Sequence, residues 1–210
     1  VYKRQIVKDN QGTLWLGTYF GGVNYFNPEY EIYSRYMYSP IEKKGLSNPV
    51  VGRTIEDKDG NLWIGTEGGG LNYYNRRTRE FKWFRPEIGP NSISHNNIKA
   101  LYYDASKDII WIGTHLGGLN RLDIRSGQFT HYRMEAGNPE TLPSDIIRDI
   151  APYQDHLVIA TQNGICLFDP ANGKCQQLFQ DSKEGKKIKM VADVTFDLSL
   201  IHISEPTRPY

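Results

Sequence analysis

One five-residue string returns through this chain at a nearly fixed interval. It reads Leu14-Trp15-Leu16-Gly17-Thr18, then Leu62-Trp63-Ile64-Gly65-Thr66, then Ile110-Trp111-Ile112-Gly113-Thr114, and in a worn form Leu157-Val158-Ile159-Ala160-Thr161. Its second position falls at 15, 63, 111 and 158, in steps of 48, 48 and 47 residues. A constant period in this range marks a repeat architecture, in which each unit buries its apolar face against its neighbours.

The string travels with companions. A glycine pair follows each Thr (Gly21-Gly22, Gly69-Gly70, Gly117-Gly118), reduced to Asn163-Gly164 in the last copy. Next comes a short apolar-polar alternation, such as Leu71-Asn72-Tyr73-Tyr74, and then Asn27, Asn75, Asp123 or Asp169. Six residues on stands Tyr33, Phe81, Phe129 or Cys175, and three further Tyr36, Phe84, Tyr132 or Leu178. The alternation has the period of a half-buried strand, and the polar stretch after it suits a hairpin turn. A β-rich segment precedes each string, as at Val51 to Glu56 and Ile98 to Tyr103, and ends in a turn like Asp57-Lys58-Asp59-Gly60-Asn61. No segment sustains a helical period.

Each repeat therefore supplies four short strands, and a four-stranded unit of about 40–50 residues is the size of a propeller blade. A β-sandwich also uses many short strands, but its strands do not recur in blocks of four under one motif. The expected fold is all-β: a partial β-propeller of about four blades over residues 6–197, forming an open arc of a larger propeller. Trp15, Trp63 and Trp111 are expected to fill space between blades. Gly17, Gly65 and Gly113 are expected to leave room for a close backbone approach. The glycine pair gives the next turn access to positive φ. The worn fourth copy, with Val158 and Ala160, places its packing in question.

The string from Asp57 to Thr66 followed by Gly69-Gly70-Leu71-Asn72, with the linker Asn91-Ser92-Ile93-Ser94-His95-Asn96-Asn97-Ile98, resembles the two-component regulator propeller repeat. The resemblance extends over about residues 6–197. It implies the extracytoplasmic sensor of a hybrid two-component system, found mostly in Bacteroidetes-like bacteria. In such systems a membrane helix, a histidine kinase and often a receiver and a DNA-binding domain follow the sensor. It further implies a periplasmic location on an inner-membrane protein, oligosaccharide signals, further blades as partners and a homodimeric receptor.

The ends depart from the pattern. A fifth Trp is due near Glu205 or Pro206, although Val191 to Asp197 still reads as a first strand. The leader 1–5 and the tail 198–210 are expected to be non-native, the tail resembling translated sequencing-adapter read-through, and the chain a fragment.

Lys+Arg 25 against Asp+Glu 24 gives a formal charge of +1, which does not make a nucleic-acid-binding surface. No apolar run approaches the about 18 residues of a membrane span. Cys166 and Cys175 fall on successive strands of one blade; a disulfide there is open in an oxidising compartment, with a plain core role for Cys175 the favoured reading. No nucleophile elbow, phosphate-cradling loop or two-His metal motif occurs, so neither catalysis, nor a cofactor, nor a metal is expected. His95, His115, His131 and His156 are scattered, and the Asp57 and Asp59 pair suits turn geometry before it suits calcium.

One functional inference comes from where the copies differ. Directly after each repeated Thr stand Tyr19, Glu67, His115 and Gln162. Scaffold positions recur because every blade needs them, whereas loop positions are free to take up function. These four are expected to line an arc round the central channel, with an aromatic face and polar groups suited to a sugar. Solvated turn residues are the plain alternative. A docking platform without a small ligand, or a glycan-active enzyme using Glu67 and His115, are the competing readings.

Overall fold

The computed structural model describes residues 3–27, 32–178, 193–196 and 201–204. The first blade comprises β1 (Lys3–Lys8), β2 (Leu14–Thr18), β3 (Val23–Asn27) and β4 (Ile32–Tyr36). The second holds β5 (Val51–Glu56), β6 (Leu62–Thr66), β7 (Leu71–Asn75) and β8 (Glu80–Phe84). The third holds β9 (Ile98–Asp104), β10 (Ile109–Thr114), β11 (Leu119–Asp123) and β12 (Gln128–Tyr132). The fourth holds β13 (Ile147–Tyr153), β14 (His156–Thr161), β15 (Gly164–Phe168) and β16 (Cys175–Leu178). A last pair, β17 (Asp193–Phe196) and β18 (Ile201–Ser204), follows. Each blade is an antiparallel sheet with strands in chain order. The first strands pack in succession, β1 on β5, β5 on β9, β9 on β13 and β13 on β17. They form the inner edge of an arc, and the fourth strands form its rim.

This is the expected β-propeller framework. Val191 to Asp197 reappears as β17, with its flanking residues outside the described set. Two segments set aside on sequence supply strand residues: Lys3, Arg4 and Gln5 open β1, and Ile201–Ser204 pairs with β17. The rest of the leader and tail, including Glu205 and Pro206, lies outside the described residues.

The core lies between blades. Trp15 packs with Val51, Leu62, Ile64, Tyr74 and Phe81 of the second blade. Trp63 does the same with Ile98, Ile110, Ile112 and Leu122 of the third, and Trp111 with Ile147, Leu157, Ile159 and Phe168 of the fourth. Each indole thus removes a large apolar area from water across an interface that one blade alone cannot close.

The motif glycine has a different reason from the expected one. A Cβ on Gly65 would lie 2.6 Å from Ile98 Cγ2, one on Gly113 2.5 Å from Ile147 Cγ2, and one on Gly17 2.9 Å from Val51 Cγ1. The glycine admits the β-branched side chain of the next blade's first strand, not its backbone. The second glycine of the pair behaves as expected: Gly70 has φ +79°, and a Cβ there would meet the Phe84 carbonyl oxygen at 2.2 Å.

Two polar devices fix the blades. Asp57 accepts the backbone N–H groups of Asp59 and Asn61 at 3.0 and 2.9 Å, and its other oxygen accepts the Trp63 indole N–H at 3.0 Å. Asp9 repeats this with Gln11, Thr13 and Trp15. Burial alone would raise the Asp9 carboxyl, but the Trp15 indole, Arg76 and the Thr13 N–H hold it below the usual range. The third blade has Ala105 at the matching position. The second device ties the linker to the third strand: Ser47 N–H donates to Asn72 Oδ1 at 2.7 Å, and Asn72 Nδ2 donates back to Ser47 Oγ at 2.8 Å. Ser94 and Asn120 form the same clasp.

The fourth blade loses both halves of that clasp together. Pro143 stands where Ser47 and Ser94 stood, after the equally buried Leu142, and Cys166 replaces the Asn. Cys166 meets Cys175 instead, thiol to thiol at 2.9 Å, both free and buried, and this contact with burial pushes the Cys166 thiol far up. The worn motif still packs: Val158 and Ala160 are buried with Ala151 and Ile165.

Candidate functional site

The motif Thr closes the turn that carries each variable residue. Thr66 Oγ1 donates to the Gly70 carbonyl at 2.8 Å, and Thr18, Thr114 and Thr161 do likewise to Gly22, Gly118 and Gly164. The turn is also sewn to the linkers. Glu67 N–H donates to Val50 O, His115 N–H to Asn97 O, Gln162 N–H to Ile146 O, and Gly70 N–H to Asn96 O in the following linker. Turns and linkers therefore open on one face, and Tyr19, Glu67, His115 and Gln162 all stand there half-buried.

Two of the four hold cations of the first strands, and a third, His115, lies in the field of both cations. Lys99 Nζ meets Glu67 Oε1 at 2.7 Å, and Arg148 Nη2 donates to Gln162 Oε1 at 3.2 Å. His115 lies between them, its ring 6.4 Å from that of His95. Burial holds the His115 ring below the usual histidine range, and Lys99, Arg148 and His95 push the same way against Glu67. Burial also lowers His95, whose Nδ1 accepts the Asn97 N–H at 3.0 Å. Tyr19 stands at the first-blade end of the series, with Phe20 edge-on at 4.5 Å. Arg53 reaches Asp149 at 3.4 Å, bridging the first strands of the second and fourth blades, so the inner edge is tightly curved.

Sequence reasoning missed Lys99, Arg148, Arg53 and Asp149. They sit on first strands read only as β-rich, one or two residues after Val51, Ile98 and Ile147, whose recurrence was the available signal.

The opposite face carries a cleft of about 700 Å³ between the first and second blades, lined by Trp15, Tyr25, Tyr36, Tyr74, Arg76 and Arg79 among others. Arg76 lies over the Trp15 ring at 4.9 Å and is already paired with Asp9 and Glu56. That cation serves the joint between blades. Among the described residues, no group of His, Cys, Asp and Glu is placed to hold a metal ion.

Comparison with known proteins places this geometry. Residues 1–20 and 45–68 match the family model described as two component regulator propeller. The extracellular domain of a protein described as a hybrid two-component system from B. thetaiotaomicron has a similar structure, at 24% identity and TM-score 0.80, over 96% of this chain and 27% of that one. A second such domain from the same organism aligns at 24% identity and TM-score 0.75, over 96% and 28%. PorZ, a surface component of the type-IX secretion system of Porphyromonas gingivalis, aligns at 20% identity and TM-score 0.68, over 96% and 30%. The chain thus spans under a third of the length of these structures. No curated protein matches it. Repeat, blade and linker agree with these findings: the chain has a β-propeller framework, and its residues 1–20 and 45–68 are similar to the two component regulator propeller family.

Proposed function

We propose that this chain is part of an extracytoplasmic sensor propeller of a hybrid two-component regulator, and that its channel face takes part in perceiving an oligosaccharide. The observation that carries the reading is the segregation of roles. Residues that recur are spent on joints between blades, and those that do not recur gather on one face as a set of donors and acceptors. Tyr19 and Phe20 add an aromatic surface there, with Phe20 69% exposed. A sugar needs such a combination: a flat apolar face to stack on and polar groups for its hydroxyls. Binding transmits a signal only if the ligand prefers one of two receptor arrangements, which in the parent receptor would be set across a dimer before a membrane-bound histidine kinase.

Calorimetric titration of the chain with a panel of defined oligosaccharides tests this. At least one should bind, and Y19A and H115A should each weaken it about tenfold, or about 1.4 kcal/mol, with unchanged melting. Equal affinity in both variants, or no binding across the panel, would remove this face as the sugar site. The exposed Phe20 and Leu116 favour a second reading, a protein-docking platform, which predicts that the same variants lose a protein partner instead.

A further inference from the structure

The first strand of every blade breaks register at the same place. The irregularity falls between Lys3 and Gln5 in β1, between Val51 and Thr54 in β5, between Ile98 and Ala100 in β9, and between Ile147 and Asp149 in β13. A bulge of this kind re-aims the side chain of the extra residue. Among the described side chains, those so placed are Arg53, next to Gly52, with Lys99 and Arg148, so the repeat sets cations at the mouth of the channel.

Two of these cations have carboxylate partners. Lys99 has Glu67, and Arg53 has Asp149. Arg148 has none among the described residues. It holds only the neutral Gln162 side chain, and its Nε is buried with no hydrogen-bond partner. His115 Nδ1, beside it, is buried and equally unpartnered. Native proteins rarely leave such groups unsatisfied, and when they do the exception calls for an explanation. A third oddity adjoins them. Leu116 adopts φ +80°, where the second blade has Gly68 at +103°, and its side chain is 56% exposed. A bulky residue held in that region is strained, and strain of this kind collects at binding sites.

We propose that the corner formed by Arg148, His115 and Leu116 is an oxyanion subsite, which takes a carboxylate or sulfate group of the ligand. The inference rests on the channel face being the ligand face. A guanidinium fork matches an oxyanion in two parallel hydrogen bonds. Arg148 can offer Nη2 by releasing a neutral partner, and the buried Nε by turning the guanidinium toward the ligand. Lys99 is balanced by Glu67 and Arg53 by Asp149, so Arg148 leaves the corner with a positive charge that no described carboxylate offsets. Leu116 then meets the apolar edge of the ring bearing the anion. The ligand class is an acidic oligosaccharide.

The test has two arms on the full 210-residue chain. In the first, sodium sulfate is titrated at constant ionic strength while the His115 ring and Arg148 Nε–H resonances are followed. Saturable shifts are expected in the wild type, reduced in R148K, lost in R148Q and kept in K107Q, a control cation elsewhere; shifts that stay linear, or persist in R148Q, overturn the subsite. In the second, a short oligogalacturonide is compared with its methyl ester. The acid should bind at least about tenfold tighter, a difference of about 1.4 kcal/mol, and R148Q should erase the difference without altering the backbone amide spectrum. Equal binding of acid and ester would overturn the oxyanion subsite while leaving sugar sensing intact. Saturable sulfate shifts with no saccharide binding would support the subsite and overturn the sugar reading instead.

Discussion

Replacing Gly65 by Ala tests what holds one blade to the next. The added Cβ would lie 2.6 Å from Ile98 Cγ2 and 2.8 Å from Ile98 Cβ, and Ile98 is fully buried. Overpacking of this kind typically costs about 1–3 kcal/mol. Gly65 is not in the left-handed region, so the substitution also recovers about 0.4–1 kcal/mol by restricting the unfolded chain. The net expectation is a loss of about 1–2 kcal/mol. The decisive measurement is a double-mutant cycle by urea unfolding with I98A, itself expected to cost about 2–5 kcal/mol. Because I98A removes Cγ2 and leaves space into which the remaining Cβ, 2.8 Å away, can recede, G65A should cost at least about 1 kcal/mol less in that background, within the range seen for residues in contact. Additivity within about 0.5 kcal/mol would refute the argument. The glycine would then be serving a backbone approach, as its place in the sequence first suggests.

Asp57 and Asp59 look alike in the sequence, yet D57A should lose about 2–3 kcal/mol in chemical unfolding, since it strands the buried Trp63 indole N–H and two turn donors. D59A should stay within about 0.5 kcal/mol, and equal losses would contradict the indole role. In the fourth blade, C166N alone buries an amide where Pro143 offers no donor, and should cost about 1–3 kcal/mol. Adding P143S rebuilds the clasp seen at Ser47 and Asn72 and should restore part of that loss; no coupling would mean the clasp does not transfer. Stability should also fall as pH drops from 7.5 to 5.5. His95 and His115 both titrate below their unfolded value of about 6.5, so the unfolded chain binds more protons in this window. The lowered carboxyl of Asp9, and that of Asp108, which Lys58 holds down from 2.7 Å, act only as pH falls below their ordinary value of 3.8, and Glu56, raised chiefly by burial, works in the opposite sense. Urea midpoints of an H95Q/H115Q variant should depend less on pH; an unchanged slope would assign the dependence elsewhere.

The blade was legible because its defining residues recur at constant offsets. The Trp at 15, 63 and 111, the glycine pair and the Asn or Asp before the outer hairpin located nearly every strand. What escaped was chemistry that needs a partner distant in sequence. Asp9 and Asp57 each precede their Trp by six residues. That spacing was visible, but turn propensity accounted for the Asp without pointing to the indole. Gly65 offered no hint that its constraint was the Ile98 side chain, because the two meet only once successive blades stack. The cations at 99 and 148 were hidden for another reason. A bulge breaks the alternation from which inward and outward faces are read, so Lys99 and Arg148 could not be assigned a direction from period alone. Glu67, His115 and Gln162 were found by their refusal to recur, but the pairing of Glu67 with Lys99 and of Gln162 with Arg148 needed the fold.

The central claim is that recurring residues build the blade joints and non-recurring ones form the recognition face. Hydrogen–deuterium exchange of the chain with and without a bound oligosaccharide measures this directly. The account predicts added protection in the turns after Thr66, Thr114 and Thr161 and in the linkers at Asn96–Asn97 and Asp145–Ile146, with the hairpins at Asn75–Glu80 and Asp123–Gln128 unchanged. Protection centred on those outer hairpins, or in the cleft at Trp15 and Arg76, would contradict it.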